Sequence, residues 1–316
     1  GDRDGFASGG QNETCCTYNL MKLSRQLFTW TADPSVADYT ERALLNGILS
    51  TQDPADGMMM YHQAMQSGLY KTFMTPEDSF WCCTGSGMEN HAKSGDSIYF
   101  HDADGLYVNL FIASELRWPE KGLTVRQETR FPEEEGTSLL FTSVKPVEAS
   151  LRIRIPGWTA PGGSVAVNGR KLEAFAAPGS YLILRRTWRT GDKVEVVLPM
   201  SLRLERLPDD PKIAAILYGP TVLAGELGTE GLTPDKIVNQ YAPTGDPVPV
   251  PRFETGNPDP SAWIKPVAGK PLTFRTNGVG NPADVTLVPY YRLFGQRYAI
   301  YWTIGPPAVS KRGENP

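Results

Sequence analysis

The hydrophobic period of this chain changes once, near residue 103, and that change limits the folds open to it. Before it, apolar residues recur at helical spacing; after it, they come in short β-rich runs separated by Gly, Pro and Asp. Residues 13–30 predict a helix, with Leu20, Leu23 and Leu27 in step and Tyr18 and Phe28 beside them. Asn12 or Thr14 is placed to cap its start. Residues 35–50 predict a second helix, with Val36, Tyr39, Ala43 and Leu44 on one side and Pro34 suited to its first turn. Residues 51–81 lose the period and read as loop or short hairpin, 82–87 as turn, and 88–100 as one more short helix. Beyond them, 106–116, 137–144, 149–156, 164–173, 180–188 and 193–199 read as strands, and Asn168-Gly169 predicts a tight hairpin. Such strands suit a β-sandwich. A Pro-rich stretch from Leu232 to Pro260 then precedes a last strand group that includes 284–293 and 297–304. A chain of 316 residues exceeds one core, and three helices bury little surface alone. The helical piece therefore reads as part of a larger helical domain. The expected domains are 1–102, 103–230 and 231–316.

The four cysteines stand as two adjacent pairs, Cys15-Cys16 and Cys82-Cys83. Neighbours rarely bond to each other, because the bridge needs a geometry that a trans peptide resists. Clustering favours metal ligation or thiol chemistry over two cross-pair disulfides. With Glu13, three of these thiols make a donor set suited to zinc, which takes four such ligands in a tetrahedron. Residues two apart face opposite ways on a helix and share a face in extended chain, so Glu13 and Cys15 can meet one ion only at or before the helix start. Cys82 and Cys83 need a bent backbone, which Gly85 and Gly87 permit. Cys16 would point away. Spacing alone leaves a reactive thiolate, a closed structural zinc site and four buried free cysteines all open.

Glu13-Thr14-Cys15-Cys16-Thr17-Tyr18-Asn19-Leu20-Met21 and Trp81-Cys82-Cys83-Thr84-Gly85-Ser86-Gly87-Met88-Glu89-Asn90-His91 resemble the two cysteine motifs of glycoside hydrolase families 127 and 146, and 107–116 and 296–302 match as well. The resemblance implies a mixed α and β fold: N-terminal helices left from an (α/α)6 barrel, followed by jelly-roll-like β-sandwich domains. It implies a retaining glycosidase that releases β-L-arabinofuranose from plant-type glycans. Zn2+ would sit on Glu13, Cys15, Cys82 and Cys83, with Cys82 as the nucleophile. The family's partner acid/base lies upstream of the first motif, which is expected to fall before Gly1. Cys16 departs from the family pattern.

Tyr61, His62, Trp81 and His91 are candidates for sugar contact, each balanced by an ordinary packing role, and Glu89 is the acid inside the second motif that could substitute for the upstream one. Glu133-Glu134-Glu135 reads as a solvated loop. A net charge of -4 with mixed signs gives no basic stripe for nucleic acid. No apolar run is long enough to span a bilayer. The first twelve residues lack a leader pattern; the expected parent is periplasmic or secreted, with a cytoplasmic one as the alternative, and a homodimer is among the expected partners. The competing reading is a carbohydrate-binding β-sandwich module with a purely structural zinc site.

Overall fold

The structure, a computed structural model, describes residues 10–307 apart from 76 and 239. The readings of the first nine residues and of Pro76 lie outside that range.

The described chain opens with a short strand, β1 (Gln11–Glu13), that runs straight into helix α1 (Thr14–Thr31). Neither Asn12 nor Thr14 caps this helix. Glu13 holds the cap position in extended conformation, while the Asn12 amide reaches Thr17 and Gln63 and the Thr14 hydroxyl donates to the Tyr61 carbonyl. Ala32 ends the helix in the left-handed region, its N–H on the Phe28 carbonyl at 2.8 Å. Asp33 caps α2 (Pro34–Ala43) by accepting from Ser35 N–H, with Pro34 in the first turn. The chain then winds through a looser turn, Leu44–Ile48, and a tight one, Leu49–Thr51.

The helical period of α1 was legible, but its buried face is the other one. Tyr18, Ser24 and Phe28 are buried with Thr14 and Thr17, whereas Leu20, Leu23 and Leu27 are exposed. On α2 the buried residues are Ala37, Thr40, Glu41 and Ala43, and Tyr39 is exposed.

Strand β2 (His62–Ala64) pairs antiparallel with β1, setting Glu13 opposite His62. Helix α3 (Cys82–Ala92) starts at the cysteine pair itself, six residues before the expected Met88. Gly85 and Gly87 sit inside it at ordinary helical φ rather than making a turn. A Cβ on Gly87 would stand 2.7 Å from Met59 Cγ, so this glycine serves a close approach.

Chain character changes from helix to strand between Ala92 and Tyr99. A six-stranded and a four-stranded sheet then face each other. Between them lies a core that includes Val108, Val125, Leu139, Phe141, Ile153, Trp188 and Val194. The hairpin at Asn168-Gly169 has φ of 52° and 76°, as a primed turn requires. Strands Leu202–Arg206, Ile213–Tyr218 and Thr221–Glu226 pair into the last sheet with Thr286–Pro289 and Trp302–Gly305, around Phe253, Trp263, Leu287 and Trp302. No helix among the described residues is long and apolar enough to cross a membrane.

Candidate active site

Two helix starts converge on one spot. Glu13 closes β1 and Cys15 lies in the first turn of α1; Trp81 precedes α3 in extended conformation, and Cys82 and Cys83 open it. The Thr14 N–H and hydroxyl both bond the Tyr61 carbonyl, at 3.0 and 3.1 Å, which ties Tyr61 to the start of α1. Thr84 holds the start of α3, its N–H on Trp81 O at 3.0 Å and its hydroxyl on Ser79 O at 2.5 Å. Unpaired N–H groups and the positive ends of both helix dipoles favour anionic sulfur here.

One ligand atom from each of Glu13, Cys15, Cys82 and Cys83 lies within 4.8 Å of the others. Glu13 Oε1 is 2.8 Å from Cys15 Sγ, 3.3 Å from Cys82 Sγ and 4.0 Å from Cys83 Sγ, and Cys15 and Cys82 Sγ are 3.8 Å apart. Two thiolates on a tetrahedral zinc, each at about 2.3 Å, stand roughly 3.8 Å apart, so the Cys15–Cys82 spacing suits such an ion and the donor types match its chemistry. The site could hold a metal. All four cysteines are free. Cys16 is exposed and stays outside the group, 3.6 Å from the other Glu13 oxygen.

Acids crowd one another here. Hydrogen bonds from Cys15 and Cys82 hold the Glu13 carboxyl below its usual range, although burial opposes them. Burial first, then Glu13, pushes the Cys15 thiol up, and burial raises Cys83 to about 11. A divalent cation reverses this balance by supplying the charge that lets several thiolates coexist.

The two thiols of the second pair differ in access. Cys82 is exposed, while Cys83 is 0% exposed beneath it. The Tyr61 hydroxyl lies 3.4 Å from Cys82 Sγ. His62 packs edge-on against Tyr61 at 4.5 Å, and Trp81 does so at 5.7 Å. Burial lowers the His62 pKa, with Glu13 opposing. Tyr61, His62 and Trp81 therefore surround the cluster. His91 does not join them. It sits nine residues along α3 from Cys82, about 13 Å at helical rise, with its Nε2 buried and unpartnered. Glu89 is also turned away, in ion pairs with Lys22 and Lys93.

Sequence reasoning missed Tyr241. It comes from the Pro-rich stretch 232–260, and its ring centroid is 4.1 Å from Tyr61, 4.8 Å from His62 and 5.2 Å from Trp81. Nothing local in the sequence around 241 marks it; only the fold brings it 180 positions back to Tyr61.

Residues 1–96 match the catalytic domain of the GH127 β-L-arabinofuranosidases, and residues 105–200 match the middle domain of the same enzymes. The chain belongs to glycoside hydrolase family 127. Residues 203–304 match a domain of unknown function. Among curated relatives, a non-reducing end β-L-arabinofuranosidase of Bifidobacterium longum subsp. longum is 25% identical over 237 residues, 68% of this chain and 35% of that protein. A GH127 β-L-arabinofuranosidase from Geobacillus stearothermophilus T6 has a similar structure, with a TM-score of 0.69 at 22% identity over 93% of this chain and 50% of that one. A GH127 β-arabinofuranosidase gives 0.69 at 24% identity with the same coverage. This GH127 chain thus spans about a third of the curated relative and half of the similar structures. Its helices followed by β-sandwich domains are the architecture of those structures.

Proposed function

We propose that this GH127 chain carries the zinc-thiolate half of a retaining β-L-arabinofuranosidase acting on L-arabinofuranose-containing plant-type glycans. The observation that carries the reading is the pairing of an exposed Cys82 with a buried Cys83 inside a four-donor cluster that also holds Glu13 and Cys15. Bound zinc would withdraw the thiol protons and keep Cys82 as a thiolate at neutral pH. Glu13, Cys15 and Cys83 hold the site, and the looser reach of Cys82 into solvent leaves its sulfur open to a sugar.

In the first step Cys82 Sγ attacks the anomeric carbon. The carbon–sulfur bond forms as the bond to the leaving oxygen breaks, and that oxygen takes its proton from the partner carboxylic acid that such a displacement requires. Water then attacks the same carbon and gives its proton to the carboxylate left by the first step, the carbon–sulfur bond breaks, and Cys82 returns as thiolate. Two displacements give retention. Tyr61, His62 and Trp81 bound the face from which the sugar approaches Cys82.

The test is hydrolysis of an aryl β-L-arabinofuranoside by the full-length polypeptide, with product stereochemistry followed by NMR. Retained L-arabinose supports the reading; absence of turnover in zinc-loaded protein refutes it. The structural-zinc reading has the full donor set in its favour, since four protein ligands usually close a zinc site. It expects Cys82→Ala to unfold the site without touching any glycosidase activity. We also propose that the first boundary lies near the expected 102 and the second near residue 200 rather than the expected 230, because the strands from Leu202 onward pair into the last sheet.

A further inference from the structure

The Pro-rich stretch read as a divider in the sequence is a strap that returns to the thiolate site. After the helical turn Pro234–Ile237, it runs alongside segment 68–73 and is bonded to it at both ends. Phe73 N–H donates to Ile237 O at 2.8 Å and Gln240 N–H to Phe73 O at 3.3 Å. The Tyr70 hydroxyl donates to Thr244 O at 2.9 Å and accepts from Thr244 N–H at 3.1 Å. Val248 N–H reaches Gly68 O at 3.2 Å, where a Cβ on Gly68 would strike Val248 O. The span between these anchors carries Tyr241.

Tyr241 lies against Tyr61, ring centroids 4.1 Å apart, and the Tyr61 hydroxyl lies 3.4 Å from Cys82 Sγ. Its ring is 47% exposed. A half-exposed aromatic, fixed by a strap and one ring removed from the proposed nucleophile, presents a flat apolar face that an apolar ligand surface can cover. The C–H face of a furanose is such a surface. We infer that Tyr241, supplied by the last domain, is a substrate-contact residue of the cysteine site, stacking on the sugar held over Cys82. This inference rests on the glycosidase reading above. It makes the domain of unknown function part of the active site rather than an appended module.

The experiment compares full-length zinc-loaded protein with Tyr241→Ala and Tyr241→Phe on aryl pentofuranosides of both L-arabino anomers and on an aryl galactofuranoside. Zinc content and thermal midpoint confirm that each variant keeps its site. A lost stacking contact made equally in ground and transition states raises KM more than it lowers kcat. Tyr241→Ala should therefore raise KM about tenfold, and Tyr241→Phe, which keeps the ring, should stay within about twofold of the unaltered protein. A Tyr241→Ala KM within about twofold of the unaltered protein would overturn the inference while leaving the glycosidase reading intact. Turnover of only a different furanoside would refute the arabinofuranosidase reading, and the same KM comparison on that substrate would then decide the role of Tyr241. No turnover of any of the three would bring down both.

Discussion

Cys82 and Cys83 share a peptide bond and face different surroundings, which is the residue-scale basis for giving them different work. Their thiols belong to one donor cluster, and access separates them. Cys82→Ala should abolish turnover while Glu13, Cys15 and Cys83 retain a weakened metal site. Cys83→Ala should act through metal loss, and added zinc should restore part of the rate. Treating full-length protein with an electrophilic L-arabinofuranose analogue and mapping the peptides checks the assignment: the adduct is expected on Cys82, and an adduct on Cys83 or Glu13 alone would reverse it. The cysteine pairs were legible because zinc chemistry restricts residue type, and the resemblance to the two cysteine motifs singled out Glu13, Cys15, Cys82 and Cys83 before any fold is known. Tyr241 was illegible for the opposite reason, because a tyrosine in a Pro-rich loop gains meaning only from the strap that returns it to Tyr61.

At the scale of elements, local pattern announced the helices and strands, and tertiary packing decided their ends and faces. The glycines at 85 and 87 suggest a turn by propensity, yet α3 runs through both, its start fixed by Thr84 and by the cluster at its first turn. Those two glycines should answer alanine in opposite ways. A Cβ on Gly85 meets nothing within 4 Å, so Gly85→Ala should stabilise by up to about 1 kcal/mol through helix propensity. A Cβ on Gly87 would crowd the Cγ, Cβ and Sδ of Met59, so Gly87→Ala should destabilise by about 1–3 kcal/mol. Urea midpoints of the two variants test this, and equal shifts would show that α3 does not pack on Met59 as described. The periodicity of α1 was equally readable, but not its orientation. Periodicity reports that one face is apolar without saying what covers it, and here Phe28 turns inward against Phe100 and Tyr107 while the leucine stripe stays exposed. That stripe is the surface we propose for the remaining helices of a barrel.

Across the whole molecule, charged seams fix the three layers to one another. Glu205 of the last sheet accepts from Arg42 of α2 at 2.9 and 2.5 Å and from Arg203 at 3.0 Å. Burial alone would raise its pKa, but the two guanidinium groups outweigh it and hold the carboxyl below 4.5. A depressed folded pKa contributes stability above pH 4.5 that is lost as pH falls through the folded value. The stability difference between the unaltered protein and Glu205→Gln should therefore shrink as pH drops below 4.5, in thermal midpoints taken across that range. A second seam is buried at Arg154 and Glu41. Arg154 of the sandwich is 0% exposed and pairs with Asp38 and with Glu41, which is itself 3% exposed. Its Nε donates to Asn109 O at 2.7 Å, and Trp158 Nε1 donates to the second Glu41 oxygen at 2.7 Å. Every polar atom in this seam therefore has a partner, and the two carboxylates depend on one guanidinium. Removing it leaves Glu41 desolvated with only the indole, so Arg154→Met should cost about 3–5 kcal/mol. Neutralising the stranded acid as well, in Arg154→Met with Glu41→Gln, should recover part of that loss, because an amide is cheaper to bury than a carboxylate. Urea denaturation of the single and double variants reads both quantities. If the single change cost under about 1 kcal/mol, the seam would be solvated rather than buried, and the docking of α2 on the sandwich would have to rest on apolar contact alone.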